Sequence, residues 1–96
     1  MIEIDLSKYG PIISSKSVGN EIYLLIKETL NKNEKVTINL GNIKSMATFC
    51  AKQIFGKLYI ELTSQIFFDR INFKGADNDL KTIIQIGIRH ALEEKK

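Results

Sequence analysis

Two hydrophobic periodicities alternate along this chain, and their order leaves few folds open to it. Ile2, Ile4 and Leu6 alternate with Glu3, Asp5 and Ser7, the period-two pattern of a strand with one wet face. Tyr9-Gly10-Pro11 turns the chain, and the apolar pair Ile12-Ile13 reads as a short second strand pairing with the first. Val18, Ile22, Leu25, Ile26 and Thr29 then fall at helical spacing, with Ser17 as the expected N-cap and Asn31-Lys32-Asn33 as the stop. Val36, Ile38 and Leu40 alternate with Thr37 and Asn39 as another strand, which Gly41-Asn42 breaks. A second helix carries the stripe Ala51, Ile54, Phe55, Leu58 and Leu62. Ser64-Gln65 interrupts, and a strand is expected from Arg70 to Phe73. Asp77-Asn78 caps a last helix with the stripe Leu80, Ile83, Ile84, Gly87, Ile88 and Ala91.

Strands separated by such long helices predict an α/β fold with a mainly parallel or mixed sheet and right-handed crossovers. The expectation is a mixed sheet of about four strands with three main helices, at about 17–32, 47–64 and 77–93. The half-polar strands at Glu3/Asp5 and Thr37/Asn39 leave one sheet face thinly covered, so the helices should gather chiefly on the other.

A chain of 96 residues holds one small domain, expected over 1–96, whose core gives marginal stability. Pairing with a second copy or with another protein is therefore in keeping with its size. One cysteine excludes an intramolecular disulfide framework and fits a reducing compartment. No apolar run approaches the ~20 residues of a membrane span, and the acidic, alternating start Met1 to Asp5 is no signal peptide. A cytoplasmic protein without a membrane partner is expected. The net charge of +3 is mild and its 14 basic residues are scattered; the densest pair, Lys95-Lys96, follows Glu93-Glu94. Nucleic-acid binders concentrate their cations on one face, so nucleic acid is not the expected partner.

Candidate chemistry is sparse. His90, the one histidine, has no serine or cysteine one turn away and reads as an exposed residue near the tail. One His and one distant Cys cannot supply a zinc site, and no other metal or cofactor is implied. Cys50 near a helix start could have its thiol pKa lowered by the dipole, yet between Phe49 and Ala51 it reads equally as a small buried hydrophobe. Gly41-Asn42-Ile43-Lys44-Ser45 ends in Lys-Ser but lacks the glycine spacing of a phosphate loop. Asp77 and Asp79 are explained by capping and the helix dipole.

The turn before the second helix remains. Ser45 and Thr48 sit at a strand's carboxyl end that feeds a helix, a place where α/β folds bind anions and partners. Each hydroxyl is a candidate phospho-acceptor or partner contact, and Thr48 is also a candidate N-cap. Beyond it, Phe49, Gln53, Gly56 and Ile60 fall at i, i+4, i+7 and i+11 with Tyr59 beside them, a candidate partner-binding face. Mid-helix glycine costs roughly 1 kcal/mol against alanine, so Gly56 should mark a close contact, as should Gly19 in the first turn of its helix.

Val36-Thr37-Ile38-Asn39-Leu40-Gly41-Asn42-Ile43, Ser45-Met46-Ala47-Thr48-Phe49 and Ile54-Phe55-Gly56-Lys57-Leu58 together resemble the STAS-like family of uncharacterised bacterial domains known as DUF4325. That family typically shows a strand of the type V-D-F, a turn with Ser-Phe-Ala-Asp, and F-G-K-L on a helix. Ser14-Ser15-Lys16-Ser17-Val18-Gly19 is similar to its S-R-x-x-G element, with Lys16 in place of arginine, and Ile88-Arg89 fits its helix ending. The distinctive matches are Phe55-Gly56-Lys57-Leu58 and Gly19. Where the family has a strand-end Asp this chain has Asn39, and the acid of the turn is replaced by Ala51 or Lys52 depending on the alignment.

The resemblance implies a non-enzymatic regulatory and protein-interaction domain, related to the anti-sigma factor antagonists, whose partner is a histidine-kinase-like ATPase or another regulator. It also implies that a serine-phosphorylation switch, if ancestral, is lost here with the acidic residues. Two rivals stand beside it: a small enzyme using Cys50 or the Ser45/Thr48 turn, and a weak nucleic-acid accessory protein.

Overall fold

The computed structural model describes residues 2–95; Met1 and Lys96, the ends of the expected domain and part of the start and tail discussed above, lie outside them. The first strand, β1 (Ile2–Asp5), is shorter than its alternation suggests. The Asp5 carboxylate accepts the Ser7 N–H at 2.9 Å and caps a 3₁₀ turn over Leu6–Tyr9. That turn still delivers Leu6 to the core, fully buried. Gly10 leaves it at φ 93°, a backbone open to glycine, and redirects the chain away from β1.

The sheet differs from the expected four mixed strands. β1, β3 (Val36–Asn39) and β5 (Ile71–Lys74) form a three-stranded, wholly parallel sheet in the order β1-β3-β5. β2 (Ile12–Ile13) does not join it. It pairs in parallel with β4 (Ser45–Met46), a strand absent from the sequence reading, as a separate two-stranded unit. Two-residue strands carry too few residues for any period to show.

The register puts Ile4, Ile38 and Phe73 abreast on one face and Asp5, Asn39 and Lys74 on the other. The first face joins the core. On the second, Glu3, Asp5, Asn72 and Lys74 are exposed, and Glu3 accepts bonds from Asn39 Nδ2 at 3.0 Å and Lys74 Nζ at 3.3 Å. A polar sheet face, exposed along its two outer strands while Thr37 of the central strand is buried, agrees with the expectation from the half-polar strands.

The cap of α1 (Lys16–Lys32) lies two residues before the expected one: Ser15, not Ser17, accepts the Val18 N–H. Its buried stripe is Gly19, Ile22, Tyr23, Ile26 and Leu30, while Val18, Leu25 and Thr29 are only half-buried. Arg70 reaches the far end of α1, donating to the carbonyls of Leu30, Asn33 and Glu34 and satisfying backbone acceptors that a helix terminus leaves open.

The expected second helix proves to be several segments. α2 (Thr48–Ala51) runs into a π-helical turn over Lys52–Gly56 and on into α3 (Lys57–Leu62). Thr63 ends it at φ 71°, and α4 (Ser64–Arg70) follows where the sequence suggested an interruption and then a strand. The anchor is Phe67, fully buried, its ring 5.4 Å from Tyr59 and 6.2 Å from Phe73. A short apolar run such as Ile66-Phe67-Phe68 has no period of its own, so packing decides its conformation. Arg70 is accordingly the last helical residue, not the first of the strand. α5 (Asn78–Lys95) is close to expectation, with Asp77 Oδ1 accepting the Leu80 N–H at 2.8 Å. No helix is long and apolar enough to cross a membrane among the described residues.

Candidate partner-docking site

The turn before α2 is a built structure. Lys44 and Ser45 N–H groups donate to the Pro11 carbonyl at 2.7 and 3.2 Å, and the Ala47 N–H donates to Ile13 at 2.8 Å. Ser45 is thus held on a strand, not in a free loop, with its side chain exposed and Met46 buried behind it. Thr48 is not the N-cap: Ala47 holds that position without a side-chain bond, and Thr48 is the first helical residue, half-buried. Phe49 follows, 44% exposed between the half-buried Thr48 and the buried Cys50.

The face expected to continue from Phe49 divides. Its spacing assumed 3.6 residues per turn, whereas the π turn bonds i to i+5 and shifts every later residue around the axis. Gly56 turns inward and is buried against α5, where an added Cβ would lie 2.7 Å from Ala91 Cβ and 2.8 Å from the Gly87 carbonyl oxygen. The close contact inferred from its cost is real, but the backbone that approaches is the chain's own, so Gly56 offers nothing to a partner. Tyr59 leans into the aromatic group, 6.1 Å from Phe68. Phe49, Gln53 and Ile60 keep exposed surface.

Gln53 is fixed from behind. Its Nε2 donates to the Lys16 carbonyl at 2.9 Å, and its buried Oε1 has no hydrogen-bond partner. The amide lies against Gly19, whose missing Cβ leaves room for it, which is the close approach inferred for that glycine. Gln53 and Ile60 also form one wall of a groove of about 370 Å³, with Ala91 and Lys95 of α5 opposite. Lys52 bonds Glu94 across it.

Cys50 is fully buried and its thiol donates to the Ser15 carbonyl at 3.5 Å. Burial pushes its pKa above the ordinary thiol value, the reverse of the activation a nucleophile needs. Because the folded pKa is the higher, folding keeps the proton on, and the stability tied to this thiol is whole below the unfolded pKa and declines as pH rises through the folded one. Native protein at pH 8 should alkylate with iodoacetamide about 100-fold more slowly than a model thiol, limited by opening of the fold. A rate equal to the model thiol would refute the burial and revive a thiol enzyme. His90 is exposed on α5, and no group of three His, Cys, Asp or Glu side chains suited to a metal occurs among the described residues.

The residues found where the family has acids, Asn39 and either Ala51 or Lys52, have structural work. Asn39 donates to Glu3 and accepts the Gly41 N–H at 2.9 Å, holding the strand end, and Lys52 is tied to α5. Sequence reading missed the contribution of α5 altogether. A signal for it exists: Gly87 and Ala91 are small residues one turn apart on the buried stripe, the pattern that lets two helices touch.

A family model described as a STAS-like domain of unknown function (DUF4325) matches residues 18–81, from the first turn of α1 to the first turn of α5. No curated protein and no solved structure matches the chain. The structure explains the most distinctive stretch: Phe55 and Leu58 fill the core, Gly56 admits α5, and Lys57 Nζ sits 4.4 Å from the centroid of the Tyr23 ring.

Proposed function

We propose, for a chain that belongs to the STAS-like domain family DUF4325, a non-enzymatic regulatory role in which it docks another protein. The docking site is the turn Ser45 to Phe49 with the adjoining Gln53 and Ile60. The partner is a regulator of the histidine-kinase-like ATPase type, as the kinship with anti-sigma factor antagonists suggests. The observation that carries this reading is Phe49: a large aromatic ring 44% exposed, in the first turn of α2, directly after the turn that the β2–β4 ladder anchors. A preorganised aromatic at low entropic cost is the usual anchor of a protein interface. The buried, proton-retaining Cys50 speaks against the thiol-enzyme rival.

The role assigned to Ser45 and Thr48 is contact rather than phosphate transfer. With Asn39 and Lys52 engaged elsewhere, neither stands in for the missing acids at the turn. Titration calorimetry against a histidine-kinase-like ATPase from the same cell should show Phe49→Ala weakening binding about tenfold or more. Ser45→Asp and Thr48→Asp should also weaken it by placing charge in the contact. If all three variants bind like the parent protein, the site is misplaced. Incubation with the ATPase and ATP should leave both hydroxyls unmodified by mass spectrometry; stoichiometric phosphate on either would show that the switch survives.

A further inference from the structure

Next to the docking turn, the groove between the helical stretch 52–60 and α5 combines an apolar floor with unbalanced charge. Ile60 and Ala91 supply the floor. Three lysines, Lys52, Lys57 and Lys95, line it against a single carboxylate, Glu94, which is already bonded to Lys52. Lys57 and Lys95 have no carboxylate partner among the described residues, and Lys57 is held over the face of Tyr23. Positive charge therefore exceeds negative along the groove, with Lys95 unengaged and the Lys57 ammonium drawn over Tyr23 of α1.

We propose, resting on the docking role above, that this groove takes an acidic amphipathic helix of the partner protein. Both walls are helices whose backbone groups are bonded internally, so the groove offers no ladder to an extended strand, and recognition must run through side chains. A helix satisfies its own backbone and can lay an apolar stripe at i, i+3 and i+4 on Ile60 and Ala91. Its flanking Glu and Asp side chains then meet Lys95, Lys57 after release from the Tyr23 ring, and Lys52 after exchange with Glu94. Nucleic acid fits the floor poorly: no aromatic ring lines it for base stacking.

The test is selection from a displayed library of helical peptides on the intact protein, followed by fluorescence anisotropy of the enriched peptides. Enriched sequences should carry net negative charge and an apolar stripe, and their binding should weaken with added salt. The double variant Lys57→Glu, Lys95→Glu, checked by circular dichroism, should lose at least tenfold in affinity and select basic helices instead. Ile60→Asp serves as a second, independent variant. No enrichment, enrichment of neutral or basic helices, or acidic peptides that bind the double variant equally well would overturn the proposal. So would equal competition by a single-stranded oligonucleotide, which favours a polyanion surface, or a self-associated protein that the peptides dissociate, which makes a second copy the occupant. Phe49→Ala separates the two readings. If it weakens the ATPase complex while the groove variants do not, the turn stands and the groove assignment fails.

Discussion

Gly87→Ala should cost this protein about 3 kcal/mol and lower its melting temperature by about 15 °C. Adding one methyl group to an exposed helix normally gains stability, since alanine exceeds glycine by roughly 1 kcal/mol in helix propensity. Here the Cβ would lie 2.6 Å from both the Ala51 carbonyl carbon and the Lys52 amide nitrogen, and 2.7 Å from Ala51 Cβ. Two of those obstacles are backbone atoms of the facing helix. They cannot rotate away, so the helices must separate and loosen the buried seam that holds Ile54, Phe55 and Leu80. Gly19→Ala is the control. Its obstacle is the end of the Gln53 side chain, which can swing aside, so the effect should stay within about 1 kcal/mol. Urea titration of both variants decides the matter. A Gly87→Ala protein as stable as the parent would mean that α5 does not cross this closely.

Phe55→Ala should be costlier still, about 4 kcal/mol, because it removes a fully buried ring and leaves a cavity the neighbours fill only in part. The ring also meets Phe73 edge to face, with centroids 5.3 Å apart at 71°, an interaction beyond simple area burial. Against a total stability of about 5–15 kcal/mol for a domain, that loss removes much of the folded margin. Phe55→Leu, which keeps most of the volume, should recover more than half of it. A loss under about 1 kcal/mol for the alanine variant would place Phe55 outside the core.

How much of this was legible beforehand depends on how long each pattern ran. α1 and α5 were readable because their stripes repeat over 17 and 18 residues, long enough to outweigh individual polar positions. β3 is only four residues long, yet it was readable because Val36, Ile38 and Leu40 alternate strictly with Thr37 and Asn39, and the same alternation marked the polar outer face of the sheet. α4 was not, since its seven residues hold one fully buried ring and no repeat. Nor was β4, whose two residues become a strand only because Pro11 and Ile13 present carbonyls to Lys44, Ser45 and Ala47.

The candidate site shows the same division. The location of the turn followed from residue types in order along the chain, whereas the exposure of the Phe49 ring was set by the tertiary structure. The cost of glycine at 56 announced a close neighbour, a statement about local energetics that sequence can make. Which neighbour was beyond it. The π turn rotated Gly56 inward onto Gly87 and left Gln53 and Ile60 beside α5, and so created a groove from residues more than thirty positions apart. Periodicity reports how a residue relates to its own helix or strand. Which two elements press together, and which cations remain unpaired between them, is set by packing many side chains at once, and that was decided only in the tertiary structure.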